Sequence, residues 1–152
     1  MEPTLVKMPT TAGDLVPYGR LTVQVLAMPR DANVNGDIFG GWVVSHMDIA
    51  SGIAARDRAK GRVVTVAIDA MAFLRPVKIG DLLCVYTALE RIGRTSMTTH
   101  VEAWVRRPSG AEEKVTDATF TFVSIDEQGR PTPVRSEEEK ASSKATTGSS
   151  AS

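Results

Sequence analysis

The sequence predicts an α+β domain in which a long antiparallel β-sheet wraps around one central buried α-helix. Three observations lead there. From Trp42 to Ala55 the chain reads as a helix that is apolar nearly all round, with Val43, Val44, Met47, Ile49, Ala50, Ile53 and Ala54 pointing every way. A helix without a polar face has to be enclosed. After Gly61 the chain turns to long β-branched segments, in places cleanly alternating, broken by Gly, Pro and Asp. One sheet face cannot cover a helix on all sides, so the sheet must curl round it and a second subunit must complete the enclosure. That combination is the hotdog architecture.

The elements follow in order. Residues 1–19 carry three prolines and little periodicity, and read as an irregular N-terminal arm. Leu21 to Met28 is a strand, with Leu21, Val23 and Val25 on one face; Pro29 ends it. Arg30 to Asp37 is a polar loop. The helix runs from Gly40 to about Lys60. Its last turns hold Arg56, Arg58 and Lys60, cations suited to the negative end of the dipole, and Gly61 supplies the stop. Val63 to Leu74 is a long strand, Arg75 to Asp81 a turn connection, and Leu82 to Ile92 a second long strand. Gly93-Arg94 fits a two-residue hairpin with glycine first. In Thr95 to Arg107, Met97, Thr99, Val101, Ala103 and Val105 alternate with Ser96, Thr98, His100, Glu102 and Arg106, and Trp104 interrupts the polar face. Val115 to Ile125 is the last strand. The folded domain is therefore 20–134. From Arg135 to Ser152 no bulky apolar residue occurs, and the segment reads as a disordered tail.

Bulk composition narrows the function. Lys+Arg and Asp+Glu are 18 each among 152 residues, so nothing points to nucleic acid or an anionic membrane. No run of about 18 apolar residues occurs, and the N-terminus lacks a basic-then-apolar leader pattern. The single cysteine, Cys84, lies in an apolar run and reads as a core residue; it excludes an intrachain disulfide and fits a reducing cytoplasm. There is no G-x-S-x-G elbow and no Walker A pattern. Ser45, His46 and Asp48 cannot form a triad, because residues one and two apart on a helix do not face each other. The same argument removes His46 and Asp48 as a chelating pair, so no metal is expected.

What remains is the loop-to-helix junction Asn33-Val34-Asn35-Gly36-Asp37-Ile38-Phe39-Gly40-Gly41-Trp42. The first amides of a helix lack internal acceptors and sit at the positive dipole end. Two glycines let a carbonyl approach that backbone, which is how an oxyanion hole forms without side chains. Asp37 stands three residues before Gly40, where a carboxylate could activate water. The same spacing also fits a plain N-cap with glycines for tight packing. Asp48 lies farther on by about 16 Å at 1.5 Å per residue, so the two carboxylates can meet only across a twofold axis. An ionised group in so apolar a helix needs a partner, and an interface hydrogen bond or ion pair explains Asp48 as well as catalysis does. Arg75, Lys78, Arg94, Arg106 and Arg107 lie at strand ends, where arginine suits phosphate, though scattered surface cations are common.

Leu26-Ala27-Met28-Pro29, Asn33 to Trp42, Met47-Asp48, Gly61 to Val66, Met71-x-Phe73-Leu74-Arg75-Pro76-Val77 and Gly80-Asp81 together resemble the YciA-type acyl-CoA thioesterases, bacterial relatives of the mammalian cytosolic and brain acyl-CoA hydrolases. The likeness spans about 21 to 134. It implies a hotdog enzyme that hydrolyses acyl-CoA to free acid and CoA without a cofactor, assembled as a homodimer and often as a trimer of dimers. It implies Asp37 as catalytic acid, oxyanion amides around Gly40 and Gly41, and a contribution from Asp48. The related hydrolases in which the Asp48 position is implicated commonly carry Asn at the position of Asp37. On this reading the pantetheine arm enters at the dimer interface past Asn35, Phe39, Thr65 and Val66. The acyl chain lies near Met47, Ile68 and Met71, and Arg75, Arg94 and Ser96 meet the nucleotide. An acyl-CoA sensor and a hotdog hydratase are the rival classes. The first needs an output module, and the second wants a histidine close to the loop aspartate, whereas His46 is nine residues beyond it.

Overall fold

A computed structural model of the chain describes residues 16–134. Most of the N-terminal arm and the whole of the 135–152 tail lie outside the described residues. Five strands form one antiparallel sheet in the order β1-β3-β4-β5-β2. They are β1 (Arg20–Leu26), β2 (Val63–Ile68), β3 (Leu82–Ile92), β4 (Ser96–Arg106) and β5 (Glu112–Ser124), and α1 (Gly40–Ala59) packs across them. The α+β class and the central helix agree with the sequence.

Several boundaries differ for physical reasons. β1 bulges between Leu21 and Val23. The bulge breaks the alternation, so Val23 and Val25 pack on the core while Leu21 stays exposed. β2 stops at Ile68 instead of running to Leu74. Beyond it the backbone is tied to β5 by Asp69 N–H to Thr119 O (3.0 Å), Leu74 N–H to Val115 O (2.7 Å) and the Thr116 hydroxyl to Ala72 O (2.8 Å). The chain then peels away, which opens a space beside the helix start. The β3–β4 turn is one residue later than expected. Gly93 N–H donates to Ser96 O (2.8 Å), leaving Arg94 and Thr95 as the loop, and neither has a positive φ, so the turn is not of the primed type. α1 ends at Ala59, within a residue of the expected end, and the cap falls on Lys60 rather than on Gly61. Lys60 itself adopts the left-handed conformation (φ 56°, ψ 35°), and its N–H caps Arg56 O at 2.8 Å.

The core lies between α1 and the sheet. Val43, Met47, Ala50 and Ala55 meet Val85, Val101, Phe120 and Phe122. The other side of α1 is not covered by the described residues, because Ile49 and Ile53 are exposed. The enclosure expected from the sequence is thus half-built in one subunit. The sheet face turned away from the helix is not uniformly polar either. Glu102 and Trp104 are buried there (3% and 4% exposed), roofed partly by the end of the arm. Tyr18 N–H donates to Glu102 Oε1 (3.3 Å), and the Tyr18 ring stands edge-on to His100 at 5.8 Å.

Candidate active site

The loop before α1 is organised by Asn33. Its Oδ1 accepts the N–H of Asn35 (2.9 Å) and of Asp37 (3.1 Å), and its own N–H donates to Asp37 O at 2.7 Å. Gly36 sits at φ +80°, and its N–H closes the turn on Asn33 O. This is an Asx-turn, in which a short amide side chain replaces a backbone acceptor. Asn33 stood inside the motif without a role. Its signal was the paired spacing to residues 35 and 37.

Asp37 is not the N-cap. Phe39 holds that position, with no side-chain hydrogen bond to the first turn. The amides of Gly40 and Gly41 are therefore bare, and both residues are exposed. Asp37 instead pairs with Lys78, whose Nζ lies 2.5 Å from Oδ1, and the two residues also form an isolated antiparallel bridge. Lys78 was one scattered cation in the sequence, and nothing in its spacing joined it to residue 37.

A groove of about 390 Å³ opens beside Gly40. Ile38, Val43 and Val77 form its apolar floor, and Phe73 and Arg75 stand along it. Phe73 packs so close that a methyl on Gly40 would meet its ring at 3.4 Å. Arg75 Nη1 donates to Lys114 O at 2.8 Å, which holds one edge of its guanidinium.

Asp48 has different surroundings. It is half-buried on α1 and accepts a 2.6 Å hydrogen bond from Thr65 Oγ1 on β2. The hydrogen bond expected for Asp48 is thus made within its own chain. Val66, the next residue, sits at a second bulge between Thr65 and Ala67 and is 54% exposed on the sheet's edge strand. Ile49 and Ile53 of α1 flank Val64 along a second groove of about 380 Å³. Edge strand and helix face thereby form one apolar surface with Asp48 and Thr65 at its border.

Within one chain the predicted set does not converge. Gly40 and Asp48 stand about 12 Å apart along the helix. Arg75 sits by Lys114, which pairs with Trp104, whereas Ser96 pairs with Val123 at the other end of β4 and β5, about 27 Å away. Arg94 lies beside Ser96 in the hairpin. The three residues assigned to the nucleotide end are therefore at opposite ends of the sheet and cannot meet one nucleotide from a single chain. Met47 is fully buried in the core, Met71 is half-buried against that core, and Ile68, Asn35 and Phe39 are exposed.

The two histidines lie elsewhere. His46 stacks edge-on to Trp42 (4.6 Å), and burial lowers its pKa. His100 Nε2 lies 2.8 Å from Glu102 Oε2, and that bond raises the imidazole pKa against the opposing effect of burial. His100, Glu102 and Asp117 bring ligand atoms within 4.8 Å of one another. Lys114 already pairs with Asp117 at 2.5 Å in the same cluster, so its positive charge is supplied by protein.

Among the described residues no helix is long and apolar enough to cross a membrane. The family model of the thioesterase superfamily matches residues 35–110, which begins at the Asn33–Trp42 junction and takes in α1 and β2 to β4. The acyl-CoA thioester hydrolase YciA of Salmonella typhimurium is 46% identical over 128 residues, covering 82% of this chain and 96% of that protein. The crystal structure of a hexameric thioesterase from Yersinia pestis superposes with a TM-score of 0.77 at 47% identity, covering 80% of this chain and 99% of that one. A hexameric hotdog-fold thioesterase of Campylobacter jejuni gives 0.73 at 39% identity, covering 81% and 95%. Matched over most of its length in sequence and in fold, the chain belongs to the thioesterase superfamily, in the family of the YciA acyl-CoA thioester hydrolases.

Proposed function

We propose that this chain hydrolyses acyl-CoA thioesters to free acid and CoA at a site shared by two subunits. The observation that carries the reading is the pair of bare helix amides at Gly40 and Gly41 opening on an apolar groove with a guanidinium along it. The amides suit the oxygen of a thioester carbonyl, whose negative charge grows as water attacks. The pantetheine arm follows the groove past Phe73 toward Arg75, whose charge attracts phosphate.

Asp48 is the better-placed base of the two carboxylates. The Asp37 carboxylate is engaged by an ammonium ion at 2.5 Å, whereas Asp48 is oriented by a neutral hydroxyl. The 12 Å gap from Gly40 closes when Asp48 comes from a second subunit whose helix runs antiparallel to the first. Water gives its proton to Asp48 and its oxygen to the carbonyl carbon. The tetrahedral intermediate then collapses, the C–S bond breaks, and the sulfur takes the proton as CoA departs. Direct attack by the carboxylate to form an anhydride is the competing route. No metal or cofactor enters either route.

The exposed apolar surface of α1 and β2 is the face we assign to dimerisation, and the hexamers of the Yersinia and Campylobacter relatives suggest three such dimers here. A cytoplasmic location fits the lone buried cysteine. Incubation with a panel of acyl-CoAs and a thiol reagent tests the function. Free CoA should appear in step with free acid. Binding without release would instead make the protein a sensor, and water added across an enoyl-CoA would make it a hydratase.

A further inference from the structure

We propose that Thr116 is a positioning residue of the thioester site, whose buried hydroxyl, together with a bulge in β5, holds the groove wall carrying Phe73 and Arg75 against the start of α1. The inference rests on the hydrolase reading above. The segment after β2 has left the sheet, yet three consecutive residues of β5 still bind it. Arg75 Nη1 donates to Lys114 O (2.8 Å), Leu74 N–H donates to Val115 O (2.7 Å), and the Thr116 hydroxyl donates to Ala72 O (2.8 Å).

A regular strand would not offer those groups together. Its successive carbonyls point to opposite edges, so Lys114 and Val115 could not both serve one neighbour. β5 is irregular at this point. Ala103 pairs with Thr116 and Trp104 with Lys114, which leaves Val115 as an extra residue. Such a bulge re-aims the groups around it. Val115 itself lines the groove beside Phe73 and Arg75.

Thr116 is 0% exposed, and a hydroxyl buried that deeply costs stability unless it is bonded. Its partner, Ala72 O, immediately precedes Phe73. The Phe73 ring in turn stands 3.4 Å from where a methyl on Gly40 would lie, beside one of the bare helix amides. The position of that ring over the amide is therefore set from β5, across the groove. A merely structural bond would show only in the melting midpoint. A positioning bond shows in KM, because the wall touches the pantetheine arm equally in the ground state and in the transition state.

The test uses the full chain and compares Thr116→Val, Thr116→Ser, Phe73→Ala and Thr99→Val. CoA release from an acyl-CoA substrate gives kcat and KM, and thermal melting reports the fold. Thr116→Val keeps the shape of the side chain and deletes the donor. It should raise KM about fivefold with kcat close to wild type. Thr116→Ser, which keeps the hydroxyl, should restore KM. Thr99→Val is the control. It deletes a buried hydroxyl on β4 that has no partner among the described residues, and its KM should stay at the wild-type value. Phe73 is 45% exposed, so Phe73→Ala should fold whatever Thr116→Val does, and it should raise KM by removing the ring itself. Wild-type KM in Thr116→Val or in Phe73→Ala overturns the proposal. So does a rise that Thr116→Ser or Thr99→Val shares. A wild-type protein that releases no CoA would sink the hydrolase reading itself, so the two failures are told apart.

Discussion

Replacing Thr65 by Val deletes the hydroxyl that holds Asp48 while keeping the shape of a β-branched strand residue. A hydrogen bond to a charged group is worth about 1.5–3 kcal/mol. Thr65 lies exposed on the edge strand, so solvent screening reduces this to about 1 kcal/mol, or about fivefold in kcat/KM. Replacing Asp48 by Asn removes the base while leaving an acceptor for Thr65, and general-base losses run about 10²–10⁴-fold. If Thr65 acts only by orienting Asp48, the double variant loses no more than Asp48→Asn alone. The assay is CoA release under single-substrate conditions for all four proteins, with binding of unreactive CoA measured alongside. Wild-type turnover in Asp48→Asn would refute the assignment of the base. A fivefold effect of Thr65→Val that persists in the Asp48→Asn background would show that Thr65 touches the substrate instead.

Gly41→Ala is a steric probe of the amide site. A methyl there meets nothing within 4 Å in the chain, so the variant should melt no lower than wild type, yet CoA release should fall because the methyl occupies the thioester's approach. Full activity would move the oxyanion donors elsewhere. Lys60→Gly removes a left-handed backbone strain of about 1 kcal/mol at an exposed helix end and should raise the melting midpoint by roughly 3–5 °C. His100 gives a pH prediction. Its folded pKa lies above the ordinary imidazole value of 6.5 because of the Glu102 hydrogen bond, so its stabilisation is full below that value and fades as pH rises through the folded pKa. The stability gap between wild type and His100→Gln should therefore be largest in mild acid and close toward alkaline pH. A gap that widens with pH would contradict this.

The long-period features of this chain were readable, and the local irregularities were not. The extent of α1 followed from its apolar pattern, because twenty residues of consistent helical sequence leave few alternatives. β3 matched residue for residue, since strand propensity and turn residues coincide at both ends. β2 was overextended because residues 69–74 keep an apolar strand-like composition while their backbone leaves the sheet to wall the groove. Gly61 drew the helix stop, yet the chain placed Lys60 in the left-handed region. Bulges at Thr22 and Val66 are single-residue insertions with no compositional mark. The site divided in the same way. Gly40, Gly41, Asp37 and Asp48 were singled out as candidates by chemistry that is local to the start and body of one helix. Lys78 and the grouping of Arg75 with Lys114 depend on contacts across many residues, which spacing does not encode.

α1 is apolar nearly all round, but one subunit buries only the side bearing Val43, Met47, Ala50 and Ala55. The remaining side, with Ile49 at 52% and Ile53 at 43% exposure, adjoins Val64, Val66 and Ile68 of the edge strand. Burying such residues contributes about 25 cal/mol per Å² of apolar area, a strong drive to pair. Asp48 borders this surface and lies some 12 Å from the amides of its own helix, so the shared-site mechanism proposed above makes pairing and catalysis depend on the same face. Ile53→Lys would put a charge in its middle without touching Asp48, Thr65 or the glycines. The variant should run as a folded monomer in light scattering and lose CoA release together with the dimer. A monomeric Ile53→Lys protein with wild-type turnover would show that one chain holds a complete site, and the shared-site mechanism would fall.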